Sequence, residues 1–554
     1  MVDISNLSDD ERTLAELGYK QELNRSWSSF QNFAISFSII SILAGCFTTF
    51  GAGWNNGGPI AISWGWLILS AFIMLIGFCM SELVSAYPTS AGIYWWASKL
   101  GGPRAGFYTG WLNLIGLLGI IASVVYGAAF FLNTTISLFN DSYAGSFLGG
   151  DYIKQQFFWF IVLMILVTIL NLFKTSILGV INNISVWWHV IGATVVILIM
   201  IFGPSTHQSV SFVFTERINN SGFGDTSGLM FWILVLPLGF LLTQYTITGY
   251  DASAHLSEET QGAADGAAKG IWRSIFYSAI GGWVLLLSFV FAATHLDYIN
   301  SFDPTVNPYG GGSSISIFAS ALSPTLFKTV MVISTIGQIY CSTACLTSTS
   351  RMMFAFSRDG AVPGGQIWAK VNKEKVPVNA VLASAIIGVL ITLPALYKAP
   401  NGVPVAFYAV VSIGVIGLYV AFAIPIYYRW RLGDSFKPGS WTIRQHYKWM
   451  APLALIEIAV TSIYFLFPTS PFGTPGNADF TWVAVNYTPI VVFGVLIAIT
   501  IWWQVSAKNW FTGPKHTIDL PEGVSSADEI ALEHHHDGFL TGEHQQHHPE
   551  DQQQ

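Results

Sequence analysis

From Ser26 to Ser81 the chain runs for 56 residues without an Asp, Glu, Lys or Arg. About 20 apolar helical residues cross the hydrocarbon core of a bilayer, so this run is long enough for two crossings. The turn signal Asn55-Asn56-Gly57-Gly58-Pro59 divides it. Charge-free runs continue at 105–140, 155–173, 175–215, 226–250, 274–296, 329–350, 376–397, 399–428 and 480–507, and a further span at about 449–467 is interrupted only by Glu457. The count is twelve spans. A soluble chain of 554 residues would need several charge-coated domains, and 10% charged residues against an ordinary ~25% are too few to coat them. The chain reads as an all-α polytopic membrane protein.

Cytoplasmic loops retain Lys and Arg. With both termini cytoplasmic, 20 of the 24 Lys and Arg fall inside, and only Lys154, Arg217, Lys328 and Lys398 fall outside. This orients a multi-pass protein of the plasma membrane. The expected organisation is a cytoplasmic segment 1–27, a ten-helix core 28–430 in two blocks (about 28–203 and 229–430), two further helices within 431–507, and a disordered His-rich cytoplasmic tail 508–554. His534, His535, His536, His544, His547 and His548 lie in that tail without cysteine partners. Cys46, Cys79, Cys341 and Cys345 all sit in apolar stretches and read as packing residues. No signal-peptide core opens the chain, and no basic face offers itself to nucleic acid.

Polar interruptions inside apolar spans are where transport chemistry belongs, because unwound helix segments expose backbone donors and acceptors to a ligand at mid-depth. The first span carries Ser41, Ala44 and Gly45 near its centre; the sixth reads Gln244-Tyr245-Thr246-Ile247-Thr248-Gly249-Tyr250-Asp251. These spans open the two five-helix blocks, and matching interruptions point to a site between the blocks. Small residues also serve close helix packing, and Asp251 is as readily a cap for a broken helix as a ligand contact. His189, placed roughly 9 Å along the fifth span if that helix starts near Asn183, is a candidate proton carrier or a neutral hydrogen-bonded core residue. Tyr126 and Tyr245 are candidate aromatic gates. Helix 8 hydroxyls either bond their own i−4 carbonyls or, where they face the first span, offer oxygens to Na⁺. Glu457 lies outside the ten-helix core and is not assigned to transport.

Four stretches resemble one family. They are Leu17-Gly18-Tyr19-Lys20-Gln21-Glu22-Leu23-Asn24-Arg25; Ser81-Glu82-Leu83-Val84-Ser85-Ala86-Tyr87-Pro88-Thr89-Ser90-Ala91-Gly92-Ile93-Tyr94, continued by Gly106-Phe107-Tyr108-Thr109-Gly110-Trp111; Thr248 to Thr260 with its Glu258-Glu259; and Ser350-Arg351-Met352-Met353-Phe354-Ala355-Phe356-Ser357-Arg358-Asp359-Gly360-Ala361-Val362-Pro363. In this order they are similar to the amino acid–polyamine–organocation superfamily, and within it to the amino acid/choline permeases that include GABA permeases. The resemblance implies a leucine-transporter-type fold, in which helices 1–5 and 6–10 are inverted repeats with broken helices 1 and 6, followed by two extra helices. It implies a substrate site at Ser41, Ala44, Gly45, Tyr126, Tyr245, Thr248, Gly249 and Asp251, with Tyr245 as gate. The superfamily's Gly-Ser-Gly stands here as Leu43-Ala44-Gly45, which alters the carboxylate-binding nest and leaves room for GABA-like or amine substrates. His189 stands where relatives carry a lysine that replaces a sodium, which favours coupling to H⁺ or plain exchange over Na⁺.

The expected function is a permease for amino acids or related amines working by alternating access. Alternatives are a choline- or polyamine-type organocation carrier and a non-transporting sensor on the same fold. No nucleotide-binding loop and no clustered nucleophile and base occur, so neither a pump nor an enzyme is expected. No cofactor, metal site or catalytic residue is assigned, and the oligomeric state is left open.

Overall fold

The computed structural model describes residues 7–396 and 405–515. Among the described residues a helix stands at each of the twelve expected positions, and ten of these are long and apolar enough to cross a membrane, the exceptions being the sixth and the eleventh. The twelve are α1 (Ser29–Ile40, resuming as Gly45–Thr48 and Phe50–Asn55), α2 (Ala61–Ala86), α3 (Gly92–Phe139), α4 (Tyr152–Asn171), α5 (Thr175–Phe202), α6 (Phe231–Thr246, resuming as Ala252–His255) and α7 (Ala263–Ala292). They continue as α8 (Pro324–Arg358), α9 (Val378–Leu396), α10 (Val405–Leu432), α11 (Tyr447–Tyr464) and α12 (Thr488–Val505). The protein is all-α and polytopic. Among the described residues a two-residue antiparallel ladder joins Asn56 and Gly57 to Asn219 and Ile218, and an isolated bridge joins Trp27 to Thr260.

Charge-free windows locate these helices but clip several of them. Helix α7 starts eleven residues before the window at 274, because Asp265 and Lys269 pair one turn apart on its surface and are tolerated there. Helix α8 likewise continues past Ser350 to Arg358. Helix α3 turns at Gly102, whose φ of 79° is left-handed and is followed by Pro103, so the long membrane span begins there.

The packing pairs repeat under a shift of five. Helix α3 lies on α10 as α8 lies on α5; α4 lies on α3 as α9 lies on α8; α1 lies on α5 as the first half of α6 lies on α10; and α2–α7 and α3–α8 pair across the middle. Five is odd, so with one crossing per helix the second block runs opposite to the first, the order expected of inverted repeats. Helix α11 packs on α10 and α2, and α12 on α10, outside this set.

The segment before Leu23 belongs to a separate unit. It carries the short helix Asp9–Glu16, started by a capping box in which Ser8 and Glu11 satisfy each other's backbone N–H. The tail is described only as far as Lys515, so its six histidines lie outside the described residues.

Candidate functional site

Both expected helix breaks are present. Helix α1 stops at Ile40 because Ser41 turns to φ 22°, and it resumes at Gly45. Helix α6 stops at Thr246 and resumes at Ala252, with Gly249 at φ 83°. In the second gap the N–H groups of Thr248, Gly249, Tyr250 and Asp251 have no backbone acceptor among the described residues. Two glycines lock the breaks together. A Cβ on Gly45 would lie 2.7 Å from Cβ of Thr246, and one on Gly249 would lie 2.1 Å from Cγ2 of Ile39. Each break therefore seats its glycine against the last turn of the other helix.

Between the breaks is a cavity of about 10 Å³, room for about one water. Ala44, Gly45, Tyr245, Thr246, Thr248 and Cys341 are among its lining residues. Of the expected substrate set, Ala44 and Gly45 from α1 and Tyr245 and Thr248 from α6 thus line one cavity, while Ser41 and Gly249 form the breaks themselves. The Tyr245 hydroxyl is 3.2 Å from Ser123 Oγ on α3. Tyr126 faces elsewhere, with its ring against Phe160 and Phe407. Asp251 also turns from the cavity: it makes no cap for the resumed helix, and its Oδ2 lies 3.3 Å from Nε2 of His255 and 3.4 Å from Nδ2 of Asn113.

His189 reaches the first break. Helix α5 starts at Thr175 rather than near Asn183, so fourteen residues put His189 about 21 Å along it. Its Nδ1 is 2.7 Å from the Ser185 carbonyl, which only accepts, so Nδ1 carries the proton. Nε2, 2.6 Å from Ser41 Oγ, then accepts the Ser41 O–H in the neutral ring. The carbonyls beside this break are taken by protein donors: Ser334 O–H donates to Leu43 and Cys341 S–H to Ile39. On α8 the hydroxyls of Ser342, Thr343, Thr347 and Thr349 bond carbonyls four residues back.

Two features were not assigned from sequence. Glu457 of α11 accepts a hydrogen bond from Gln244, one residue before the cavity-lining Tyr245. The basic end of the bundle is closed by buried ion pairs: Arg351–Glu259 at 2.8 Å, Arg358–Glu258 at 3.1 Å and Arg429–Glu82 at 2.7 Å. Glu258 also accepts the Ser90 N–H, Trp27 bridges the backbone of Glu259 and Gln261, and Arg25 donates to the Thr260 carbonyl. Arg25 of the first stretch and parts of the other three stretches that carried the family resemblance therefore meet here, in an ion-paired cluster rather than at the cavity. The opposite end of α1 is closed by neutral bonds: Asn220 Nδ2 to Asn55, Asn55 Nδ2 to the Gly311 carbonyl and Trp54 to Asn300. The signal for His255 was present in its spacing, one helical turn after Asp251.

Residues 28–496 match the family model described as amino acid permease. The chain is 37% identical over 513 residues to the amino-acid permease BAT1 of Arabidopsis thaliana, covering 90% of this chain and 95% of that protein. It is 36% identical over 517 residues to the BAT1 homolog of Oryza sativa subsp. japonica, covering 91% and 95%. A putative polyamine transporter of Candida albicans is 26% identical over 535 residues, covering 94% and 92%. With a broken-helix pair around a mid-bundle cavity and a family match over most of its length, the chain belongs to the amino acid permease family and is a membrane transporter, not an enzyme.

Proposed function

We propose that this permease moves a small amino acid or amine across the plasma membrane by alternating access, with H⁺ rather than Na⁺ as the coupling ion and the basic end facing the cytoplasm. The substrate carboxylate meets the free N–H groups of the α6 gap, and the ammonium meets carbonyls at the C-terminal ends of the half-helices, each favoured by the local dipole. The names of the relatives, amino-acid permeases and a polyamine transporter, support that substrate range.

The observation that carries the coupling reading is the 2.6 Å contact of His189 Nε2 with Ser41. A proton arriving on Nε2 turns that nitrogen from acceptor to donor, so the Ser41 hydroxyl must rotate and the break must readjust. In proteoliposomes, His189→Ala is expected to abolish accumulation driven by a pH gradient while counterflow of labelled GABA, alanine or putrescine persists. Full pH-driven accumulation by the variant would refute the coupling role.

A further inference from the structure

Glu457 is a buried carboxyl on a helix outside the ten-helix core, yet it reaches the last turn of α6 before its break. Its partner Gln244 precedes the cavity-lining Tyr245, and the Gln244 and Ile247 carbonyls accept from Tyr419 O–H on α10. Among the described residues two atoms of the pair have no hydrogen-bond partner: Glu457 Oε2 and Gln244 Oε1. Glutamine suits this place because it serves both forms of a carboxyl. Its N–H donates to a carboxylate, and after an amide flip its carbonyl accepts from a carboxylic acid O–H. A Lys or Arg partner would instead hold the carboxylate ionised.

Among the described residues neither member of the pair bonds a cation. From α6 Tyr250 lies near the pair and from α10 Tyr419 does, while Asp251 is turned to His255 and Asn113. Helix α2 brings only Cys79 and Glu82, and Glu82 is bonded to Arg429 at the basic end. Helix α11 adds Tyr447, Lys448 and Tyr464 at its own ends. An ionised carboxylate at such depth without a cation is costly, and a bound proton removes the cost.

We infer that Glu457 and Gln244 form a second proton-binding site, in which protonation of Glu457 at Oε1, the oxygen facing Gln244, reverses the direction of their hydrogen bond and so repositions the half of α6 that ends at the cavity. The step takes one proton from water onto the carboxylate and releases none. It rests on the alternation of α6 and not on His189. Helix α11 thereby acts on the site as a positioning element.

The test is infrared spectroscopy of the full-length protein in liposomes during a pH titration. The carbonyl stretch of a protonated carboxyl is expected to disappear on alkalinisation in the wild type and in His189→Ala, and to be absent in Glu457→Gln. The second readout is the rate at which a maleimide labels Cys341, the cysteine of the cavity wall, taken as the ratio of Glu457→Gln to wild type so that the thiol's own ionisation cancels. That ratio should change several-fold across the titration, since the protonated fraction of a single site falls about tenfold per pH unit above its midpoint. A band of undiminished amplitude in Glu457→Gln, or a ratio constant with pH, overturns the proposal. If Glu457→Gln does not reconstitute, Gln244→Leu carries the same test: a moved infrared midpoint supports the site and an unmoved one overturns it.

Discussion

Gly45 and Gly249 show how little room the site leaves for a change of one carbon. Gly45→Ala forces a methyl into the Thr246 side chain, an overpacking that typically costs about 1–3 kcal/mol. Gly249→Ala adds the left-handed backbone penalty of about 1–2 kcal/mol to its clash with Ile39. Both variants are expected to lose uptake, Gly249→Ala with the larger drop in thermal stability. Gly494→Ala, with open space around it on α12, should match the wild type in both assays. Gly45 was legible in the sequence as a small residue near the centre of the first span, and Gly249 as the glycine break before Asp251 at the end of the sixth. Whether they served a ligand or helix packing was not, because the answer depends on which atom of the other break stands opposite. Tyr126 illustrates the same limit: its place in the third span was readable, but the direction of its ring is set by Phe160 and Phe407, which come from other helices.

Among the elements, the segment from Thr248 to Thr260 does two jobs. Its first residues form the break and its last carry Glu258 and Glu259, the anions of the basic-end gate. Arg351→Met leaves Glu259 buried without its partner, a change that costs about 3–5 kcal/mol in comparable pairs. The closed basic end is then disfavoured, and Cys341 should be labelled faster by a thiol reagent applied from that side. Arg351→Met combined with Glu259→Leu removes both charges and should recover much of the closure. The sequence pattern showed these motifs clearly and their pairing not at all. A charge-free window is blind to charged residues inside helices, which is why α7 and α8 were clipped at the end where the gate is built. Glu457 was set aside for a similar reason: chain order puts α11 after the repeats, whereas packing returns it to α6.

At the level of the whole molecule, the shift-by-five packing pattern makes α1 and α6 equivalent, yet their surroundings differ in kind. One end of the bundle is held by three buried ion pairs and the other by side-chain amides of Asn55, Asn220 and Asn300. Neutral hydrogen bonds contribute about 1 kcal/mol each, so Asn55→Ala together with Asn220→Ala should shift the opening of that end by about tenfold or more. With Cys341 as the sole remaining cysteine, the double variant should be labelled faster from the end opposite the basic one. An unchanged rate there would mean that these amides do not hold the closure.

Nothing in the amide closure takes up or releases a proton, and none of its partners carries a net charge that salt could screen. On the proposed orientation this is the mouth that meets the world beyond the cell. Its latch would work alike in acid or neutral surroundings and in dilute or concentrated fluid. Sensitivity to acidity is left to the groups sealed further in, where only a proton that has entered the protein can be felt.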